Sequence, residues 1–312
     1  MASDVLQSQR FSELLQWYEA LRQGDGRSLR IYALMDGALD EDIFRVVNQR
    51  EAAWRSLYRE TMLEAASPAF GPYLVALTPE EPEHAALMKL LLRRAQDTNL
   101  VIWVVSRQRL TELAAYLHQY AEVGLPDGRR GLFRYYDSSI LETLLRVFTQ
   151  EQHEQFLVPF RELRYWREEW QTVVGMDLAV LPPVSEGGMT LTVEQQNRLA
   201  MATLAETFYH EIRKRSLAPG SDVDKRVHVE QLRNLIDRAA QRYLLNKQDE
   251  LMLFALVGLK INRTFDAHPA VAASLDPRQR GDMPLRDVFS SLAENVWDEL
   301  LVAANLHPVS DR

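Results

Sequence analysis

Residues 100–117, with the sequence LVIWVVSRQRLTELAAYL, place the pattern of a β-strand directly before that of a helix. Residues 100–105 are apolar and rich in Val, Ile and Trp, which is typical of a buried strand. The next segment repeats apolar side chains at the i, i+3, i+4, i+7 spacing of an amphipathic helix: Leu110, Leu113, Ala114 and Leu117. Ser106 is the expected N-cap of that helix. A strand that leads into a helix predicts α/β structure.

The same alternation extends to the residues before and after this segment. Residues 29–35 and 73–77 are strand-length apolar runs, and residues 78–82, TPEEP, combine a capping oxygen, proline and carboxylates, as helix starts do. Residues 125–129, LPDGR, predict a tight turn, and the alternation over residues 132–136 indicates a hairpin. Further segments predict a helix over 138–148 and a strand pair near 160–166 and 170–174. We therefore expect a mixed sheet rather than a wholly parallel one.

The later part of the chain follows a different pattern. Residues 176–190 contain two prolines and two glycines without a sustained period, which predicts a linker. Beyond it, Thr192 and Gln195 match a capping box, and apolar residues recur at helical spacing, including a helix expected to start near Pro284. The predicted organisation is a mixed α/β (α+β) lobe over residues 1–175, a linker over 176–190 and an all-α helical lobe over 191–312.

The N-terminal segment has the spacing of an amphipathic helix. Its large apolar side chains are Phe11, Leu14, Leu15 and Trp17. Such a helix either packs on the sheet or presents its apolar face to a partner, and the spacing alone leaves both options open.

Composition excludes several classes of protein. The 312 residues include no Cys, which rules out disulfides, thiolate metal sites and a cysteine nucleophile. Asp and Glu number 44 against 36 Lys and Arg, so the net charge of -8 argues against a nucleic acid as partner. No apolar run approaches the ~20 residues of a membrane-spanning helix, and the first residues lack a signal-peptide pattern. We expect a cytoplasmic protein without membrane insertion.

The motifs of common enzyme sites are missing from the sequence. The seven histidines do not have zinc-ligand spacing, and neither a G-x-S-x-G elbow nor a phosphate-binding glycine loop occurs. We therefore predict no catalytic residue, cofactor or metal. One alternative stays open: a hydrolase or nucleotide-dependent enzyme that uses Asp36, Ser106 and Arg134 near strand ends. A second role for Arg134 is structural, since an inward arginine needs an acidic partner, for which Asp36 or Asp137 is available.

Aromatic side chains are the strongest indication of a binding surface. Tyr165, Trp166 and Trp170 lie in a run crowded with charged residues, where strand alternation cannot bury every ring. Trp, Tyr and Arg dominate the energetics of protein interfaces. We predict a partner-binding surface that includes these three residues together with Arg134 and Tyr136.

Six segments, taken in order, carry a resemblance to a known family. They are YALMDGA (32–38), WRSLY (54–58), GPYLV (71–75), SR (106–107), LPDGR (125–129) and LFRYYD (132–137). Over about residues 30–170 the chain resembles the N-terminal domain of type VI secretion system effector chaperones, also called adaptors (Tap/Tec-like).

The resemblance implies a protein from the cytoplasm of a Gram-negative bacterium. Members of the family bind a toxic effector, typically near its N-terminal region, and help load it onto the spike (VgrG-type) protein of the injection machine. They are not enzymes, and the family supplies no catalytic residues to transfer. A narrower alternative is a scaffold that binds only the spike.

Overall fold

Two apolar strands form the centre of a six-stranded sheet in the computed structural model. They are β1 (Arg30–Asp36) and β4 (Val101–Ser106), and nearly all their residues are buried. The flanking strands are β2 (Trp54–Ser56), β3 (Pro72–Leu77), β7 (Glu162–Trp166) and β8 (Trp170–Val174). The strand order is β2-β3-β1-β4-β7-β8, and every neighbouring pair is antiparallel. Between their ends the central strands carry apolar and aromatic residues on both faces, because both faces of the sheet are covered.

A smaller sheet holds the parallel pairing. It consists of β5 (Glu122–Gly124), β6 (Arg130–Leu132) and β9 (Met189–Thr190), with β5 antiparallel to β6 and parallel to β9. The predicted turn joins β5 and β6, and Gly128 has a φ of +83°, a backbone conformation that glycine adopts without strain. The prediction of mixed sheet structure is thus confirmed, although the large sheet is antiparallel throughout.

The predicted hairpin strand is shorter than expected. It ends at Leu132, and the side chains of Phe133, Tyr135 and Tyr136 are all buried instead of alternating between two faces. Local turns replace the ladder here, since Asp137 N donates to Arg134 O at 3.1 Å. Burial of three aromatic side chains outweighs the local alternation of the sequence.

Helices cover both faces of the large sheet. In chain order they are α1 (Ala2–Asp25), α2 (Glu41–Gln49), α3 (Pro82–Arg94), α4 (Leu110–Leu117), α5 (Ser138–Val147), α6 (Gln150–Leu157) and α7 (Val193–Ala202). One core joins Ala33 and Trp103 of the sheet to Leu14 of α1 and Leu91 of α3. The other joins alternate sheet residues to α4, α5 and α6. Successive residues of a strand point to opposite faces, which produces two separate cores.

The expectation that Ser106 caps α4 is wrong. The helix begins at Leu110 with Arg109 as its N-cap residue, whereas Ser106 is fully buried at the end of β4. Its hydroxyl donates to Pro159 O and accepts from Gln108 N at 3.1 Å. The hydroxyl therefore ties β4 to a distant loop instead of starting the next helix.

The described residues are 2–25, 29–66, 68–95, 100–167, 169–183, 188–214 and 225–306. The chain divides into two compact units, Met1–Leu199 and Ala200–Arg312. This division assigns the residues predicted as a linker, 176–190, to the first unit, and residues 184–187 lie outside the described part. Within that part, no helix combines the length and apolar character needed to cross a membrane.

The second unit is helical, which confirms the predicted fold class. Its helices are α8 (Leu204–Lys214), α9 (Lys225–Tyr243), α10 (Gln248–Lys260), α11 (Pro269–Leu275), α12 (Pro277–Arg280), α13 (Leu285–Ser291) and α14 (Glu294–Leu306). The helix expected from Pro284 onward is in fact two, because Leu292 is extended (φ -67°, ψ 137°) and ends α13. Leu285 and Val296 still enter the same core from the two helices.

Candidate partner-binding surface

A buried carboxylate and an arginine meet at the end of β1. Asp36 Oδ2 accepts a hydrogen bond from Arg134 Nη2 at 2.7 Å, and Asp36 Oδ1 accepts from Ala38 N at 3.1 Å. Arg134 Nη2 also lies 3.2 Å from Asp137 Oδ2. Arg134 has the predicted acidic partners, and both candidates serve, although the arginine is exposed and not directed inward. This pairing links β1 to the segment before α5, almost a hundred residues later in the chain.

The three side chains differ in exposure. The Asp36 side chain is 3% exposed and that of Arg134 44%, so the guanidinium reaches the surface from a buried base. Burial lowers the pKa of Arg134, but the carboxylates of Asp137 and Asp36 outweigh burial and raise it above its ordinary value. Asp137 also accepts from Ser139 N at 2.9 Å and thereby caps α5. The cluster therefore presents the guanidinium of Arg134 at the surface, fixed by Asp36 and Asp137.

Tyr136 lies beneath this cluster. Its side chain is buried, and its hydroxyl shares a hydrogen bond with that of Tyr58 at 3.3 Å. Burial, followed by this hydrogen bond, raises the pKa of Tyr136. Tyr136 therefore supports the neighbourhood of Arg134 from the core and is not itself displayed.

The predicted aromatic cluster lies on the β7–β8 hairpin. Tyr165 is buried, whereas Trp166 and Trp170 are half-buried with ring centroids 5.2 Å apart in an edge-to-face arrangement. The Arg10 guanidinium lies 3.7 Å from the centre of the Trp166 ring, and Trp170 Nε1 donates to Glu13 Oε2 at 2.8 Å. The two tryptophans are thus fixed from one side by α1.

Helix α1 packs on the sheet, which decides between the two options for this segment. Leu14 and Tyr18 are buried in the sheet core, and Trp17 Nε1 donates to Glu162 Oε2 at 2.6 Å. Arg164 of β7 donates to Glu13 O at 3.3 Å and lies over the Trp170 ring at 4.7 Å. The helix is therefore part of the wall that positions the hairpin.

Arg167 joins the two clusters. Its guanidinium donates to Ser139 O at 3.2 Å and to Glu142 Oε2 at 3.1 Å, both on α5. Helix α5 is in turn capped by Asp137, the partner of Arg134. Because neighbouring strands are antiparallel, β1 and β7 end, and β4 begins, at this same end of the sheet. Asp36 lies on the face of the sheet covered by α5 and the tryptophans on the face covered by α1, so Arg167 connects the two faces at the end of the sheet. We call this set the sheet-end surface: Asp36, Arg134, Asp137, Glu142, Trp166, Arg167 and Trp170.

Of the three residues of the enzyme alternative, Asp36 and Arg134 meet, but Ser106 does not join them. Ser106 pairs with Arg30 at the start of β1, six residues from Asp36, or about 20 Å at ~3.3 Å per residue. Its hydroxyl is buried and bound to Pro159 O. Antiparallel pairing of β1 and β4 puts Ser106 and Asp36 at opposite ends of the sheet.

The surface hollows of the described residues do not bring Asp36, Ser106 and Arg134 together. Two surface hollows of about 430 and 640 Å³ flank β2, lined by residues such as Asn48, Trp54 and Glu81. Neither is lined by Asp36, Ser106 or Arg134. The described ranges hold no group of three or more His, Asp or Glu side chains placed to bind a metal ion.

Comparison with known proteins adds one finding. Residues 31–155 match a family described as a domain of unknown function, DUF4123. The match runs from β1 into α6 and includes Asp36, Arg134, Asp137 and Glu142 of the sheet-end surface. It leaves out α1 and the β7–β8 hairpin. No curated protein and no solved structure matches the chain.

Several contributors to the surface were missed at the sequence level. Arg10 and Glu13 precede the tryptophans by about 150 positions, and no local pattern connects them. Glu142 occupies an ordinary helical position, and only its contact with Arg167 distinguishes it. The charged run around Trp166 was visible, but which of its members face α5 depends on how the hairpin packs.

Proposed function

We propose that this chain is a non-enzymatic chaperone or adaptor of a type VI secretion system. In this proposal it binds an effector in the cytoplasm, near the effector's N-terminal region, and helps load it onto the VgrG-type spike. The DUF4123 match carries the proposal, because that domain is associated with adaptors of type VI effectors. The order of the six segments from YALMDGA to LFRYYD supports the same assignment.

The chemistry of the sheet-end surface suits recognition of a polypeptide. Trp and Arg are the residues most enriched among energetically important interface positions. Here Arg134, Arg167 and both tryptophans are already held by internal partners, which reduces the entropy lost when a partner binds. An interface of standard size involves about 20–30 residues of each partner, more than the sheet-end surface contains. Neighbouring parts of the first unit therefore belong to the interface as well.

Charge favours a basic partner. The first unit carries 21 Lys and Arg against 28 Asp and Glu, a net charge of -7. Complementary charge speeds association and suppresses wrong partners more than it adds affinity. An effector segment that is disordered when free would gain order and shielding on this unit.

The proposal assigns no bond-making step to the chain. Its support is the separation of Asp36 from Ser106 and the use of Arg134 in two ion pairs. Incubating the purified effector with the chain tests whether a site built from other residues modifies the effector. The adaptor proposal predicts that the effector's mass stays unchanged.

Co-expression with the effector tests the proposal. We expect the full-length chain to co-purify with the effector encoded beside its gene and to raise the effector's level in cells. Trp166→Ala with Trp170→Ala should reduce capture at least tenfold, whereas Arg129→Ala, on the β5–β6 turn, should not. If the wild-type chain and the effector never associate, and the effector's level in cells does not depend on the chain, the proposal fails.

A second experiment separates the adaptor from the spike-only scaffold. The full-length chain is offered purified effector and purified spike protein, each alone. Binding of effector without spike supports the adaptor. Binding of spike alone supports the scaffold and contradicts the proposal.

A further inference from the structure

Strand β8 is an open edge of the large sheet. Its only neighbour within the described residues is β7, and Gly175 N donates to Arg161 O at 3.0 Å at one end of the pair. Arg167 N donates to Glu169 O at 3.0 Å at the other end. In an antiparallel pair the bonded positions alternate, so Trp170, Thr172 and Val174 direct their backbone N–H and C=O groups away from β7.

The opposite edge of the sheet is treated differently. On β2, His118 Nε2 lies 2.8 Å from Ser56 O, and Arg55 Nη1 donates to Trp54 O at 2.8 Å. These side chains occupy carbonyl groups that a new strand would need. β8, with the sequence WQTVV, carries neither a charged residue nor a proline, the usual devices that protect an edge. One edge is blocked and the other is open.

An apolar stripe continues from the open edge. Every second residue from β8 onward has a large exposed apolar side chain: Val174 (68%), Met176 (45%), Leu178 (41%) and Val180 (82%). The backbone beneath the stripe is fixed, since Met176 N donates to Leu157 O and Leu178 N to Val158 O, both at 3.1 Å. β8 ends at Val174 and Asp177 has a φ of +54°, so these side chains widen the apolar surface beside the edge without continuing the strand.

We infer that the β8 edge and the stripe after it bind an extended, basic segment of another polypeptide, which adds to the sheet as a further strand. Main-chain hydrogen bonds to Trp170, Thr172 and Val174 supply affinity, and the exposed apolar side chains after β8 favour a segment that carries apolar residues. This deepens the proposed function, on which it rests, by naming the form in which the partner binds.

Charge decides which occupant the edge favours. A second copy of this chain would bring another net charge of -8, and the two copies would repel each other as whole molecules. A segment with Lys or Arg between its apolar residues complements the -7 of the first unit. The occupant is therefore a basic strand from a different protein rather than the β8 of a second copy.

Thr172 provides a matched pair of variants. Thr172→Pro removes the outward N–H and fills the edge with a ring, and edge positions whose N–H faces solvent tolerate proline. Thr172→Val keeps the N–H and the shape of the side chain. Both variants should unfold at nearly the wild-type temperature, which shows that any loss of binding is not a loss of fold. Val174→Lys provides a second, independent block by adding positive charge on the edge.

The direct probe is a labelled nine-residue peptide of alternating Val and Lys, followed by fluorescence anisotropy. We expect it to bind the wild type and Thr172→Val equally, and Thr172→Pro and Val174→Lys at least tenfold more weakly. The same peptide with alternate amides methylated, and one with Glu in place of Lys, should each bind at least tenfold more weakly to the wild type. Equal binding of the peptide to wild type and Thr172→Pro would overturn the inference.

Two further measurements separate this inference from the proposed function. If the effector co-purifies undiminished with Thr172→Pro and Val174→Lys, the adaptor stands and the edge is not its binding site. If no effector binds the wild type but the peptide results hold, the adaptor fails and the edge remains a strand-binding site. Sedimentation of the wild type should show a monomer. A dimer abolished by Thr172→Pro would instead assign the edge to a second copy.

Discussion

Arg134 is the residue on which the sheet-end surface depends. It is the cation shared by two carboxylates, one of which, Asp36, is nearly inaccessible to water. A buried carboxylate that loses its counter-charge is more costly than an exposed one, because water cannot replace the lost partner. Removing Arg134 therefore affects stability as well as binding.

We predict that Arg134→Ala lowers the free energy of unfolding by about 1–3 kcal/mol, the cost of leaving buried acceptors without their donor. Partial exposure of Arg134 keeps this below the cost of breaking a fully buried pair. Urea unfolding measures it. Arg129→Ala removes an exposed arginine paired with Asp127 and should leave stability nearly unchanged. Equal losses in the two variants would contradict the role given to Arg134.

Gly37, directly after Asp36, has no room for a side chain. An added Cβ would lie 2.2 Å from Ala69 O and 2.8 Å from Gly71 O, both backbone atoms that cannot rotate away. We predict that Gly37→Ala costs more than about 2 kcal/mol of unfolding free energy, as overpacking against rigid neighbours does.

The matched control for Gly37 is Gly24, which has no atom within 4 Å of an added Cβ. Because Gly24 lies in α1, Gly24→Ala should be neutral or stabilise by up to about 1 kcal/mol. Thermal unfolding of the two variants checks both. A harmless Gly37→Ala would mean that the loops at this end of the sheet adapt more readily than their contacts indicate.

Helix α1 supports the β7–β8 hairpin through contacts with both of its tryptophans. It supplies Arg10 and Glu13 to the two tryptophans, and its apolar side packs into the core of the sheet. The open edge at β8 is therefore backed by a helix rather than by solvent, which keeps the strand extended and ready to pair.

Leu14→Ala tests this bracing. Leu14 is fully buried, so the substitution should cost about 2–5 kcal/mol through a cavity in the core. Hydrogen exchange should accelerate in α1 and in β7 and β8 together. Leu6→Ala, on an exposed part of the same helix, should change stability by less than about 0.5 kcal/mol and leave exchange in the hairpin unaltered. Faster exchange confined to α1 would show that the helix does not support the hairpin.

For the whole molecule, buried tyrosines predict the response to alkali. Burial raises the pKa of Tyr32 in the first unit and of Tyr243 in the second from 10.0 to about 12. The unfolded chain ionises near pH 10, while the folded chain holds these hydroxyls neutral. Their contribution to stability is thus complete below pH 10 and is lost as the pH rises toward about 12.

We therefore expect the buried tyrosines to ionise together with unfolding. Above pH 10, tyrosinate absorbance should rise in the same pH range in which helical circular dichroism falls. Tyr32→Phe removes one such group but also its hydrogen bond to Gln108 O, so its alkaline midpoint is compared with its own stability at neutral pH. Ionisation of these tyrosines with helical structure intact would contradict the prediction.

The local elements were determined by the sequence itself. The turn at residues 125–129, the helix over Ser138–Val147 and the capping box of Thr192 with Gln195 all follow from residues within a few positions of one another. Their energies come from backbone propensity and short-range hydrogen bonds, which do not depend on the rest of the fold. The pairing of Arg134 with an acidic residue was also predicted, from the cost of an unpaired buried charge, although the buried member of the pair is Asp36.

Strand direction and the meeting of distant segments were decided only by tertiary structure. The apolar runs of β1 and β4 fit a parallel or an antiparallel sheet equally. Only their antiparallel pairing put Ser106 and Asp36 at opposite ends of the sheet. Nothing near Trp166 predicts that Arg10 covers it, nor that β8 is left as an edge. Such features depend on which apolar surfaces bury one another across 100 or more residues, and the periodicity of a single segment carries no information about its partner.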